Sequence, residues 1–566
     1  MRMRLTARKN DYFNLSIAAL VFVVVIGLSY GAFYAPILYS DDWSHIVEGL
    51  AGNRWRFIDL SSRRPLVHAP ILLVYSIFGL NIHVFYLVLV LCQWVSAVGM
   101  HCLLGKINLD SLLTLLLVLL FLVYPADYSR MWLNMLHVRF VYVLLVVYAW
   151  SLFIYQDRNH IAALVVALLC LLISLGIYEA HLGVALGWAI LMFFRSKRLS
   201  LPRKLGVLSP FILAVAFSLW RTYGIGRAGV HDNYLELVQL APSMLLSRLV
   251  AGFKVLIWAW IEPFRQAFGG GPDLAFTYSS NWRYYLVIAG VIALGWIGVM
   301  LLGRKGSFED VLSRDDRLRE IHLAALLFLV GGLFVIAGYL PIVTVYMPNL
   351  VQHDSRANLF ALPGASLCFV ALFYMTSILL TRHRKQVREL LIVSVIPLLI
   401  IGAVTQVWIQ HDAQVAWEDQ KAIWARLFEL VPDAVDGTQM LLVLPGYQEC
   451  TGLVNWNRTP VSAQWEVRSA IRVLYGNATL SGDVFFPDLC SRVELRQDGV
   501  VSLWTQDVTP YAEIVVLVYD GGTRQLRLAE NLQDDLGLKW PTPDYDPWAR
   551  VLSSTKSSIE LRRLVE

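Results

Sequence analysis

The stretch YSDDWSHIVEG (39–49) sets two carboxylates, Asp41 and Asp42, side by side directly after a long apolar run, NLSIAALVFVVVIGLSYGAFYAPIL. Neighbouring carboxylates disfavour joint ionisation, so one of them keeps a higher affinity for a proton. Such a group can take the proton of an attacking hydroxyl, whose own pKa lies far above neutral. The plainer reading of the same residues is a solvated helix end, with Asp42 capping a helix WSHIVEGL. Cationic and imidazole side chains cluster in four other stretches. SSRRPLVH supplies Arg63, Arg64 and His68, and PADYSRMWLNMLHVRF supplies Asp127, Arg130, His137 and Arg139. YMPNLVQHDSRANLF supplies His353 and Arg356, and the large third outer region supplies Arg227, Arg248 and Lys254. SLGIYEAHLG adds Glu179. An arginine fork grips phosphate oxygens through two parallel hydrogen bonds, and Arg356 ranks first among these candidates because it lies just before an apolar span. An ionisable group inside an apolar span, such as Arg139 or His137, is costly and by default functional. For Arg139 the plainer reading is snorkelling towards headgroups.

The elements that must carry these residues are apolar. The chain has 566 residues, of which 57% are hydrophobic and 16% charged, and its mean hydropathy is +0.57. Soluble domains carry about 25% charged residues. Continuous apolar runs of about the length a helix needs to cross hydrocarbon place a polytopic α-helical membrane protein here, rather than a barrel with period-two alternation. Spans are placed at about 14–38, 82–104, 111–127, 133–155, 160–178, 180–194, 205–222, 283–303, 320–343, 358–380 and 389–409. The loops RSKRLSLPRK, GRKGSFEDVLSRDDRLRE and TRHRKQVRE are basic. With eleven spans and a cytoplasmic N-terminus, all three fall on the cytoplasmic side, as the distribution of Lys and Arg requires. MRMRLTARKND followed by an apolar run could pass for a signal peptide, but the run is too long and no small-residue cleavage site follows. Two apolar segments, 63–79 and 242–264, would break this parity and are read as interfacial helices on the outer side.

After residue 409 the pattern changes. HDAQVAWEDQKAIWARLFELV has helical periodicity, while QMLLVLP and EIVVLVYDGG read as short buried strands. Residues 1–409 are therefore assigned to the membrane and 410–566 to a soluble α/β domain, outside the cytoplasm on this topology. Cys450 and Cys490 lie in that part, where an oxidising compartment would permit a disulfide. Cys92, Cys102, Cys170 and Cys368 lie in apolar runs and are read as buried thiols. FGGGPD (268–273) lacks the lysine and strand context of a phosphate loop and is read as a turn.

A paired acidic motif in the first outer loop, an interfacial segment after it, many spans and a soluble C-terminal part together resemble the GT-C superfold of integral membrane glycosyltransferases. The likeness is greatest to members that use polyprenyl-phosphate-linked sugars, such as the mannosyl- and aminoarabinosyltransferase-like groups. At residue level it rests on the DDW motif and a few basic loop positions. The resemblance implies Asp41 as base, with Asp42 orienting the acceptor or tuning its neighbour. It implies inversion at the sugar, and arginines on the leaving polyprenyl phosphate. Arg356, His353, Arg63, Arg64 and Arg130 are the donor-phosphate candidates, and Glu179, Asp127, His68 and Arg139 the acceptor-cavity candidates. The acceptor would be a glycan, lipid or protein; the chain would sit in the plasma membrane, and no nucleic acid is expected as partner. Asp41, Asp42 and a carboxylate such as Asp127 or Glu179 have the oxygen ligands a divalent cation takes, but monophosphate donors in such families usually react without metal, and none is assigned. Trp456, Trp465 and Trp504 suggest acceptor or glycan recognition by the C-terminal domain, or simply its core. The alternative function is transport of a lipid-linked glycan intermediate, which should show duplicated halves and helices broken near mid-membrane; neither is evident in the sequence.

Overall fold

The computed structural model describes residues 2–31, 38, 42–51, 56–59, 64–107, 109–195, 200–224, 242–262, 286, 288–290, 292–293, 311–343, 347–350, 352–445, 459–461, 464–487, 493–503 and 506–553. Most of the expected spans coincide with helices: α1 (Arg2–Gly31), α2 (Ala69–Phe78), α3 (Ile82–Lys106), α4 (Ser111–Val123), α5 (Leu136–Arg158), α6 (Ile161–Ile177), α7 (Leu182–Arg195), α8 (Leu201–Gly224), α9 (Pro242–Trp258), α10 (Arg314–Val343), α11 (Leu362–Leu380) and α12 (Arg384–Leu430). The expected span at 283–303 lies largely outside the described residues. Among those residues, six helices are long and apolar enough to cross a membrane. The segment read as interfacial at 63–79 folds as a turn followed by the 10-residue α2, too short to cross hydrocarbon. Leu20, Leu87, Leu329, Leu333 and Val393 are 64–65% exposed on these helices. Apolar surface on that scale is covered by lipid rather than water. This is a helical membrane protein with a strand-rich C-terminal region.

Polar side chains tie the helix ends into two coherent layers. At one end Arg195 donates to the carbonyl of Lys106 and Arg388 pairs with Asp110 at 3.0 Å. There too Leu312 bonds the carbonyl of Arg382, and Arg317 that of Ile378. This end holds the described residues of the three basic loops. At the other end Tyr30 donates to the carbonyl of Leu122 at 2.9 Å, Gln406 to that of Tyr124 at 3.1 Å and Asn358 to that of Ala126 at 2.8 Å. Carbonyls at a helix C-terminus have no partner within the helix, and inside a bilayer water does not supply one. Glutamine, asparagine and tyrosine from neighbouring helices do so here. Between the two layers, α10 and α11 pack backbone to backbone. A Cβ added at Gly364 would lie 2.6 Å from the carbonyl oxygen of Gly331, so this crossing requires glycine.

α12 differs from the expected boundary at 409/410. It continues without a break for 47 residues, because no glycine or proline separates the last span from the amphipathic stretch after it. The membrane helix thus becomes a strut of the C-terminal domain. That domain is built on strands β1 (Asp433–Ala434), β2 (Gln439–Val443), β3 (Ser481–Phe485), β4 (Val493–Arg496), β5 (Gly499–Ser502), β6 (Val508–Thr509), β7 (Ile514–Asp520), β8 (Gln525–Leu528) and β9 (Val551–Leu552). The two runs expected to be buried strands are β2 and β7, which pair in parallel; β3 joins the other edge of β2 in parallel, and β8 closes the sheet antiparallel. Their near-continuous apolar sequences suit a parallel sheet covered on both faces. β4, β5 and β6 form a second antiparallel sheet, and β1 pairs with β9, so entry to and exit from the domain are tied together. Helix α13 (Gln464–Tyr475) packs on β3 and, on its other side, against residues 42–48. The C-terminal domain and the first loop therefore lie at the same end of the bundle.

One buried acid in this domain gives it a pH response. Asp483 on β3 is 1% exposed and accepts a 2.6 Å hydrogen bond from Gln439, which in turn accepts from Thr509. Burial pushes its carboxyl up to about 7, against the pull of Arg468 on α13. An unfolded aspartate titrates near 4, so between pH 4 and 7 the folded state holds a proton that the unfolded state has lost. Stability therefore falls as pH rises through that window. The Asp483→Asn variant is expected to lose this slope, on the order of 2–4 kcal/mol between pH 4 and 8; thermal unfolding of both proteins across that range measures it.

Candidate functional site

The end of the bundle away from the basic loops is where helices stop and short irregular segments begin. Pro125 follows Tyr124 and forces it into an extended conformation, ending α4. The chain then makes two 3-10 turns, Tyr128–Met131 and Leu133–Met135, before α5. Similar turns occupy Glu179–His181, between α6 and α7, and Gln352–Ala361, ahead of α11. A π-helix, Asp42–Glu48, follows α1. Every candidate residue within the described chain lies on or beside one of these breaks, in the adjoining turn 64–68, or on α9 for Arg248 and Lys254.

Asp127 caps the first of the turns: its Oδ1 accepts from the backbone N–H of Ser129 at 3.1 Å and from the Ser129 hydroxyl at 2.6 Å. Its Oδ2 accepts from Arg130 Nε at 3.1 Å and Arg139 Nη2 at 2.8 Å. Arg130 also donates to the Phe121 carbonyl at 2.7 Å, to the Leu122 carbonyl and to the Tyr30 hydroxyl at 2.8 Å. All three charged groups are at most 4% exposed. Arg130, a donor-phosphate candidate, and Asp127 and Arg139, acceptor-cavity candidates, turn towards one another. The reason is burial: a carboxylate at this depth needs compensating charge, and the orphan carbonyls of α4 need donors. The cluster carries one surplus positive charge.

Arg64 and Glu179 form a second, more open pair. Nε and Nη2 of Arg64 donate to the two carboxylate oxygens at 2.8 and 2.6 Å. The guanidinium lies 4.5 Å above the Tyr178 ring, and the edge of His137 meets that ring on centroids 5.7 Å apart. Tyr178 also stacks with Phe360 at 6.1 Å, and Phe360 with Tyr142 at 5.2 Å. His181 fixes this wall from behind, donating from Nδ1 to the Tyr178 carbonyl at 2.6 Å. Arg356 is half-buried in the 3-10 turn that carries Phe360. Asp42 is fully buried, and its Oδ1 accepts from the backbone N–H of Asn134 at 2.6 Å, three residues before His137. Asp42 thus holds the backbone three residues ahead of His137, whose ring meets the Tyr178 ring beneath Arg64. Next to Asp42, Trp43 meets Trp424 of α12 edge-on at 6.1 Å.

The remaining candidates fall elsewhere. Arg248 donates to the Val343 carbonyl at 2.8 Å and so caps α10, Lys254 is exposed, and His68 is half-buried just before α2. Asp41, Arg63, Arg227, Cys450, Cys490, Trp456, Trp504 and the side chain of His353 lie outside the described residues. Trp465 is half-buried on α13. Among the described residues no group of three His, Cys, Asp or Glu side chains has a metal-holding arrangement.

Two buried acids lie outside the motifs that the sequence singles out. Glu262 accepts from Trp258 Nε1 at 2.6 Å, and Asp412 sits on α12; both act electrostatically on the Tyr128 hydroxyl. The signal was present: an acid within WAWIEPF and another just after TQVWIQ are isolated charges beside apolar aromatic stretches.

The two ion pairs should respond differently to mutation. Asp127→Asn leaves two guanidinium groups buried against one carboxamide and is expected to cost roughly 3–5 kcal/mol. Glu179→Gln removes a partly exposed pair and should cost less than about 1 kcal/mol. Thermal unfolding of the detergent-solubilised full chain compares the two. No protein-family model matches the chain, and no curated protein matches it in sequence.

Proposed function

We propose that this chain is a GT-C-like membrane glycosyltransferase, with about eleven spans, that moves a sugar from a polyprenyl-phosphate donor to an acceptor hydroxyl. The basic end of the bundle faces the cytoplasm, following the distribution of Lys and Arg. The end with the irregular turns, and the C-terminal domain beside it, then face outwards from the plasma membrane. The observation that carries this reading is a cleft of about 740 Å³ between α1 and α3, lined by Val23, Ile26, Gly27, Leu87, Leu91 and Trp94. Leu87 and Leu91 are also lipid-exposed, so the cleft opens sideways into the bilayer. Its polar lining includes His83 and Tyr30, whose hydroxyl receives a hydrogen bond from Arg130. An isoprenoid chain suits such a cleft, and its phosphate would then lie at the level of the helix-end turns.

In the proposed step the acceptor oxygen attacks the anomeric carbon and its proton passes to Asp41. The bond from that carbon to the phosphate oxygen breaks, its electron pair leaves with the polyprenyl phosphate, and the sugar is inverted. Positive charge from Arg64 and Arg356, together with the surplus charge of the buried cluster, stabilises the departing anion. Asp42, held by the Asn134 N–H, keeps the loop in register.

The role of the C-terminal domain follows from its seat. Because α13 and Trp424 pack against residues 42–48, the domain fixes the aspartate loop in addition to any contact with acceptor. Asp41→Asn is expected to lower transfer from a polyprenyl-phosphate sugar about 10²–10⁴-fold with donor binding retained. Trp424→Ala, which removes the edge-on contact with Trp43, should lower transfer through disorder of the same loop. Transfer assays in purified membranes with donor-binding controls measure both, and normal transfer by Asp41→Asn would reject the assignment.

A further inference from the structure

The Arg64–Glu179 pair occupies a position where a phosphate would be expected, and the inference drawn from it rests on the function proposed above. Arg64 is 35% exposed and Glu179 51% exposed, so the pair is open to exchange, unlike the sealed cluster around Asp127. The guanidinium is nevertheless preorganised. Tyr178 supports its face, and the loop is pinned by the Leu66 N–H on the Gly176 carbonyl at 2.8 Å and by the Asp59 N–H on the Pro65 carbonyl at 2.9 Å. The two segments pack closely there: a Cβ at residue 176 would lie 2.9 Å from the end of the Leu66 side chain. Glu179 meets this fork with two parallel hydrogen bonds, the geometry that a phosphate would adopt.

We infer that Glu179 is a placeholder, which holds the anion seat of Arg64 in the empty protein and is displaced when the phosphate of an isoprenyl monophosphate enters. A carboxylate in this position keeps the guanidinium oriented and lowers its affinity for adventitious anions. A phosphate carries up to twice the charge of a carboxylate and displaces it by exchange, without covalent chemistry. Glu179 then swings clear, and its charge is repelled from the occupied seat.

The test uses the full chain in detergent with farnesyl phosphate as probe. Farnesol serves as the control for the chain alone and inorganic phosphate as the control for the anion alone. Glu179→Gln should tighten farnesyl phosphate binding about two- to fivefold, the strength of a partly exposed ion pair, and leave farnesol binding unchanged. Arg64→Lys keeps the charge but not the fork, and should loosen the phosphate probe. A similar gain for inorganic phosphate would assign the seat to the anion itself, whereas a gain confined to farnesyl phosphate would assign it to a lipid headgroup. Unchanged or weakened binding of both phosphate probes by Glu179→Gln overturns the placeholder. The transferase assay separates this from the function itself. Tighter binding with no transfer by the wild type keeps the seat and rejects the function, while normal transfer with no gain in affinity rejects the seat alone.

Discussion

The end of the bundle that carries the candidate site is organised by one buried carboxylate. Asp127 accepts hydrogen bonds from Ser129, Arg130 and Arg139, and through Arg130 the same group reaches the C-terminal carbonyls of α4 and the hydroxyl of Tyr30 on α1. Three helices and a turn are thereby fixed to one anion. A bare charge at this depth would cost several kcal/mol, and the second arginine is intelligible on that ground. Arg130 is largely occupied by helix carbonyls, so Arg139 completes the neutralisation of Asp127. The surplus positive charge rests beside the negative end of the α4 dipole, where it is favoured.

From this anchor the rest of the layer follows. Helices that stop here expose carbonyls: Arg130 answers those of α4 and Arg248 that of α10, while uncharged Gln406, Asn358 and Tyr142 answer the carbonyls of Tyr124, Ala126 and, at 2.6 Å, Leu359. Because those donors come from other segments of the chain, the ends of the helices are mutually positioned rather than independently capped. The arrangement extends beyond the membrane through α12, whose Gln420 donates to Glu466 of α13 at 3.0 Å and whose Asp419 is gripped by Arg524 at 2.8 Å. The first loop is thus held between the bundle below and the domain above.

Part of this was legible in the sequence. Apolar run length gave the helices, because span length is set by the bilayer, and β2 and β7 were readable because buried parallel strands are continuously apolar. The basic loops sorted helix ends into two layers, and the contacts at Arg388, Arg195 and Arg317 follow that sorting. What sequence did not reveal was which arginine faces which group. Arg64 and Arg130 are both loop arginines beside short turns, yet one is solvent-accessible and the other sealed, a difference created by tertiary contacts with Tyr30 and α4. The continuity of α12 was also hidden, since a change from apolar to amphipathic composition looks like a domain boundary whether or not the backbone changes course.

The allocation of charge also narrows where an anion could be received. Arg130 and Arg139 are bound to Asp127 at a site with almost no exposure, and freeing either would strand a buried carboxylate. Arg248 is engaged with the end of α10. Arg64 differs in kind, because its partner is an exposed carboxylate whose release into water carries little desolvation cost, so its fork can exchange partners without disturbing the fold. Exchange of that type is what a transferase handling a charged leaving group requires: positive charge fixed in place before the reaction, and held loosely enough to let the product go. A deeply buried arginine meets the first condition and fails the second, and the sealed cluster and the open pair divide along that line within one layer of turns.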